Sequence, residues 1–426
     1  MIQTLKDTYA RFPAKFWVLI LAVFIDLIGG TMLNPFFALY ITSKFNVGMT
    51  TAGVLLGMLA FCGLIGNMIS GVLVDHFGRR NILLAGLILS ALSALSLGFV
   101  NSLAAMYPLI IVVGVLSNFG GPARDTMVAD LLPEEKRNEG YGILRVAANI
   151  SWIIGPSVGG LVASHSFLML FILDALFSSI TAVVVYKQIP ETKPEPTGSE
   201  EKESLGQTLL GYRFVIKDFL FMVYLVVSMI MLLVYQQEYN ALSVYMRDVH
   251  HFPSEQYGLM LSVSAVVVVL LQISITRKTA NQPPFLMMAL GSVFYVVGFS
   301  MFGFVQPYYL FIAAIVVITI GEMIIAPVGQ ALAAKFAPEE MRGRYMAFFS
   351  VAWALPNTVG PWAAGLIMDN YDPNWVWYLG GILLAISVLG FYGLHLLVRH
   401  QPRFSPSEPA VPVDGQIEPV NIGLDH

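Results

Sequence analysis

Six ionisable residues interrupt long apolar runs: Asp26, Arg124, Asp125, Arg145, Glu238 and Glu322. An ionisable side chain at the centre of a bilayer costs about 2.5–3.5 kcal/mol even on a lenient insertion scale, so each is a functional candidate by default. A carboxyl in such surroundings is neutral when dry and ionised when water or a cation reaches it, because desolvation disfavours the charged form. The chemistry on offer is the binding and release of protons and cations. Bond-making catalysis has no comparable support. The sequence carries no Walker A loop and no HExxH zinc motif. An enzyme is therefore not expected, and no catalytic residue, metal site or cofactor is assigned.

A second charged group stands in GVLVDHFGRR, residues 71–80. There an apolar run ends in Asp75, His76, Arg79 and Arg80 around Gly78. Gly78 permits a tight turn, and Arg79 lies one helical turn's worth of sequence after Asp75.

The elements that must position these residues follow from composition. The chain has 426 residues, 57% hydrophobic and 12% charged, against about 25% charged in a soluble protein. Water is not the main solvent of such a chain. The net charge of −4 predicts no nucleic-acid surface, and the single cysteine, Cys62, excludes an internal disulfide. Residues 1–15 carry Lys6, Arg11 and Lys15, but the following run over 16–41 is too long for a cleaved signal and reads as an anchor that stays.

Twelve spans are expected, over 16–40, 51–73, 81–100, 106–131, 140–163, 166–186, 218–245, 256–276, 284–304, 308–334, 345–368 and 375–398. Lipid excludes open edges and irregular backbone, so all should be helices. With both termini cytoplasmic, 19 of the 23 Lys and Arg fall inside, two (Lys44, Arg247) outside, and two (Arg124, Arg145) within spans. That bias fixes count and orientation together.

The chain is also duplicated. A shift of 205 residues lays PARDTMVADLLPEEKRNEGY (122–141) on PVGQALAAKFAPEEMRGRYM (327–346), and residues 122–161 give 12 identities in 40 ungapped positions. The same shift pairs Gly155-Pro156 with Gly360-Pro361, Tyr40 with Tyr245 and Gly53 with Gly258. Two parallel six-helix bundles follow, with a binding region near the midplane between them. The expected division is 1–187 for the first bundle, 188–213 for a cytoplasmic linker, 214–400 for the second bundle and 401–426 for a disordered tail.

These features resemble the major facilitator superfamily over nearly all of 1–400. Gly71-x-x-x-Asp75-x-x-Gly78-Arg79-Arg80 looks like its signature between spans 2 and 3. Gly155-Pro156-Ser157-Val158-Gly159-Gly160 is similar to the antiporter motif of the drug:proton antiporters, and PARDTMVADLLPEEKR resembles the span 4 to 5 region of bacterial multidrug exporters. The resemblance implies an all-α integral membrane protein of twelve helices, a bacterial inner-membrane location, spans 1, 4, 7 and 10 around a central cavity, and alternating access. It also implies that Arg79 bridges Asp75 and Asp130, with Asp75 facing the start of span 11, as a latch on the cytoplasmic side. The repeat of this stretch has Ala280 and Pro284 where Asp75 and Arg79 stand, so the latch is one-sided.

The expected activity is proton-driven export of small amphipathic or cationic compounds by a monomer in the bilayer, with Asp26 and Glu322 as the leading coupling groups and the proton gradient as energy source. A sugar or metabolite carrier using Asn34, Gln236 and Gln237 is an alternative, and a non-transporting sensor or scaffold is another. Asp125 with Arg145 fits a static ion pair equally well, Gly155-Pro156 fits a packing kink, and Asp174 reads as structural.

Overall fold

The computed structural model describes residues 11–117, 119–193, 213–338 and 341–401. Every regular element among them is a helix, as a backbone without water must be to close its own hydrogen bonds. Span 1 comprises Ala14–Leu33, a turn of 3-10 helix at Asn34–Phe36, and Phe37–Phe45. Spans 2 and 3 are Met49–Phe77 and Arg79–Phe99. Span 4 is broken into Leu103–Ser117 and Gly121–Asp130; spans 5 and 6 are Glu134–His165 and Phe167–Gln188. Span 7 comes in three pieces, Phe219–Tyr235, Gln237–Asn240 and Leu242–His250. Spans 8 to 12 are Ser254–Thr279, Pro284–Phe304, Tyr308–Phe336, Arg342–Asn370 and Trp375–Val398.

Among the described residues, eleven spans are long and apolar enough to cross a membrane. Span 11 falls short because Pro356, Asn357, Thr358 and Pro361 occupy its middle. It packs along span 2 instead. Of the expected linker, 194–212 lies outside the described residues, and so does 402–426 of the expected tail.

The duplication is written into the backbone. Phe45 and His250 end equivalent helices, and the next residues, Asn46 (φ 50°) and His251 (φ 57°), take the left-handed conformation that closes a helix end. Tyr40 and Tyr245 each donate a hydroxyl hydrogen bond to a carbonyl, of Leu97 and Phe302, again 205 apart. Helix pairings repeat as well. Span 1 packs on spans 5 and 6 as span 7 packs on 11 and 12, and span 2 on 4 as span 8 on 10.

The bundles meet through two pairings that the repeat interchanges, span 2 with 11 and span 5 with 8. A Cβ at Gly53 would overlap the Pro361 carbonyl, and one at Gly258 would overlap the Pro156 carbonyl. Gly160 packs on Ser254 as Gly365 packs on Met49. Ser157 donates to Ser262 Oγ at 2.7 Å, and Ser262 to the Ile153 carbonyl at 2.6 Å. At the Asn46 end of the molecule, Asp369 accepts the Met49 and Thr50 N–H groups at 2.9 and 2.8 Å, and Arg247 reaches Thr42 Oγ1 at 3.0 Å. Toward the Gly78 end, a Cβ at Gly71 of span 2 would meet no heavy atom within 4 Å.

Candidate functional site

A cavity of about 890 Å³ lies between the bundles. From the first bundle Asp26, Asn34, Arg124, Asn149, Trp152 and Asp174 line it; from the second, Tyr235, Gln236, Tyr239, Asn240, Glu322, Trp353 and Asn357. The helix breaks explain part of this. Asn34 begins the 3-10 turn of span 1, and Gln236 and Asn240 flank the short middle piece of span 7, so these amides sit where regular packing is interrupted.

In the first bundle Asp26 accepts a hydrogen bond from Ser178 of span 6 at 2.7 Å. Asp174, one turn before Ser178, shares that wall. In the second bundle Glu322 and Tyr235 line the cavity together. The Tyr235 ring stacks on Tyr295 at 5.5 Å and meets Trp353 edge-on at 6.3 Å. Its hydroxyl lies 3.4 Å from that of Tyr239, whose ring meets Trp152 of the opposite bundle at 5.3 Å. The result is a carboxyl among aromatic faces, an arrangement that attracts organic cations through charge and ring quadrupole.

Glu238 does not line the cavity. It is buried at 1% exposure in the short helical piece of span 7, with Oε2 lacking a hydrogen-bond partner among the described residues. Its carbonyl accepts the Tyr257 hydroxyl at 2.8 Å.

At the Gly78 end Arg79 Nε lies 3.2 Å from Asp130 Oδ2, and Thr192 Oγ1 donates to the same oxygen at 3.1 Å. Glu191 caps the start of span 3, accepting the Arg79 N–H at 2.7 Å and the Arg80 N–H at 3.2 Å, as well as those of Thr192 and Lys193. Gly78 has φ 90°, and a Cβ there would overlap the Glu191 carboxylate, so glycine is required twice over. Arg80 stacks over the Tyr186 ring at 5.2 Å.

The sequence profile of the Major Facilitator Superfamily matches residues 19–321 and 283–419. The chain belongs to that superfamily. Its relatives include a "Na(+), Li(+), K(+)/H(+) antiporter" of Planococcus maritimus, 23% identical over 78% of this chain and 84% of the relative. Another is "Multidrug resistance protein 2" of Bacillus subtilis (strain 168), 26% identical over 63% of this chain and 67% of the relative. The crystal structure of the nucleoside transporter NupG superposes with a TM-score of 0.74, at 14% identity over 90% of this chain and 99% of that one. The protein is a multi-pass membrane transporter, not an enzyme.

Within this transporter the candidate residues separate into groups. Asp26, Arg124 and Glu322 line the cavity together. Glu238, Asp125 and Arg145 do not. Asp125 and Arg145 do not form an ion pair with each other, because the Arg124 side chain turns back on its neighbour, Nε to Oδ1 at 3.1 Å, with the Asp125 side chain 55% exposed. Gln237 is buried, donating to the Leu233 carbonyl, so it is unavailable to a ligand, unlike Asn34 and Gln236.

In the glycine motif, Gly155 and Gly159 admit Thr31 and Met32 of span 1, while Gly160 admits span 8. Gly155-x-Ser157-x-Gly159 matches the spacing of a hydrolase nucleophile elbow, but it lies within one continuous helix rather than at a strand-to-helix turn. Of the expected latch, the Asp75 side chain lies outside the described residues. Glu191 and Asp369 are residues that sequence reasoning passes over, and Asp174 is one that it reads as structural.

Proposed function

We propose that the protein is a proton-coupled exporter of small amphipathic or cationic compounds, working by alternating access. The observation that supports this reading best is the composition of the cavity wall: a carboxyl from each bundle, Asp26 and Glu322, with Trp152, Tyr235, Tyr239 and Trp353 between them. A flat lipophilic cation gains from aromatic faces and from a carboxylate in a low dielectric. A proton discharges that carboxylate and releases it. Binding of either at one carboxyl excludes the other, which is the minimum an exchanger needs.

With the Gly78 end cytoplasmic, as the distribution of Lys and Arg favours, the closed Asn46 end faces outward and the cavity reaches toward the cytoplasm. That is the loading state for export. The relatives named as an antiporter and as a multidrug resistance protein agree with this reading.

The deciding experiment is flux of a fluorescent lipophilic cation in proteoliposomes with an imposed pH gradient. Uphill movement that Glu322→Gln uncouples from the gradient supports the proposal. Gradient-independent flux in the wild-type protein removes it. A polar metabolite is the second reading, because Asn34, Asn149, Gln236, Asn240 and Asn357 also line the cavity. Competition by an uncharged polyol, with indifference to Glu322→Gln, would favour it.

A further inference from the structure

We propose that Asp26 and Asp174, with Ser178, form a site for one monovalent cation in the first bundle, apart from the aromatic region around Glu322. The inference rests on the transport reading above and adds a second cation site to it, distinct from the carboxyl at which compound and proton exchange.

Three observations carry it. First, the register between spans 1 and 6 is fixed by side chains. Ser178 donates to Asp26 Oδ1 at 2.7 Å, and Thr181 donates to the Ala22 carbonyl at 3.0 Å one turn further on. Second, Asp174 belongs to the same face as Ser178, four residues earlier, where side chains are neighbours roughly 5–6 Å apart. Its Oδ1 points at span 1: a Cβ on Gly29, three residues after Asp26, would lie 2.6 Å from it. Asp26 and Asp174 therefore stand about one helical turn apart along the same seam between spans 1 and 6, both on the cavity wall. Third, Asp174 is 9% exposed and opens on the cavity, yet no described residue donates a hydrogen bond to its carboxyl. An acid kept only to tie helices together would be hydrogen-bonded to the neighbouring helix, because a polar group in a helix contact is unfavourable without a partner.

The donor set points to the ligand. Arg124, the basic residue on the same cavity wall, is ion-paired with Asp125, so Asp26 and Asp174 stand there without a basic partner among the described residues. The described residues contain no group of three His, Cys, Asp or Glu that would suit a divalent metal. The Asp26 and Asp174 oxygens, with the Ser178 hydroxyl, provide hard oxygen ligands, which accept either a proton or an alkali ion.

The test uses the full-length protein in nanodiscs. Its thermal unfolding is followed with N-methylglucamine as the only cation, then with sodium, lithium or potassium added at fixed pH, and separately across pH without alkali ions. A ligand of the native state raises the melting temperature as its concentration rises. Dependence on alkali ions identifies one of them as the ion; dependence on pH alone identifies the proton. Other groups titrate too, so the reading is the difference between wild type and variant. Asp174→Asn removes the cation-linked shift and Asp174→Glu retains it; Glu322→Gln retains the part linked to alkali ions. An unchanged shift in Asp174→Asn overturns the proposal, and so does the absence of any cation-linked shift in the wild type. If Asp174→Asn does not fold, Asp26→Asn takes its place with the same criterion. Loss of the linkage alongside intact wild-type efflux would defeat this inference alone. An intact linkage without efflux would defeat the transport reading alone.

Discussion

Asp369→Asn should open the Asn46 end of the transporter. The Asp369 carboxylate accepts both the Met49 and Thr50 N–H groups, at 2.9 and 2.8 Å, at the first turn of a helix from the other bundle. Gly48 leaves the space for it, since a Cβ there would overlap the carboxylate. A carboxylate at a helix N-terminus contributes about 0.3–1 kcal/mol when exposed, and hydrogen bonds to a charged acceptor are the stronger kind. Asp369 is itself exposed, so the working figure is about 1 kcal/mol, or roughly a fivefold shift in the ratio of closed to open forms. Asparagine keeps one acceptor oxygen but loses the charge and the second acceptor. The assay is electron–electron distance spectroscopy between spin labels on Asn101→Cys and Tyr371→Cys. Both positions are exposed, one in each bundle, and Cys62 is buried and stays unlabelled. The long-distance fraction should rise in Asp369→Asn. A distance distribution identical to that of the unsubstituted pair refutes the reasoning, because the carboxylate would then hold nothing shut.

Gly258→Val should force span 8 off span 5, because its Cβ would meet the Pro156 carbonyl; a Ser157→Cys/Ser262→Cys pair, now 2.7 Å apart at Oγ, should then lose its ready disulfide. Glu191→Gln removes the charge that caps span 3 and should lower the melting temperature by about 1 °C, taking about 1 kcal/mol for an exposed cap in a chain of 426 residues; an unchanged melting curve would show that the cap is idle. In sealed vesicles, protease should cut within 194–212 from the face opposite to that on which an impermeant thiol reagent labels Asn101→Cys, and reaction of both from one face would contradict the assigned topology.

Much of this architecture is legible in the sequence, for identifiable reasons. An acid in the middle of an apolar run is conspicuous, so Asp26 and Glu322 stand out without coordinates. The duplication is legible because Gly53 and Gly258 leave no room for a Cβ against the Pro361 and Pro156 carbonyls, and equal constraints in both halves keep equal residues. The Arg79–Asp130 pair is what the family resemblance implies, between helix ends on one side of the membrane. What stays hidden depends on separation along the chain. Asp174 looks structural until span 6 is seen against span 1, 148 positions earlier at Asp26 by residue number. Glu191 acts on amides more than 100 residues away, and its neighbours read only as linker. Glu238 and Asp125 mislead for a simpler reason: periodicity places a residue at a depth, but a broken helix decides which way it faces, and span 7 is broken on both sides of Glu238.

The paired glycine–carbonyl contacts, Gly53 on Pro361 and Gly258 on Pro156, have a mechanical consequence. Further backbone contacts, Gly57 on Thr358 and Gly365 on Met49 along one seam and Gly160 on Ser254 along the other, leave no flexible side chain to absorb sliding. The easiest movement left is rotation about the line that joins the two seams. Any event that tilts one bundle is then transmitted undiminished to the far rim, and a bound ion needs to bias only a single angle.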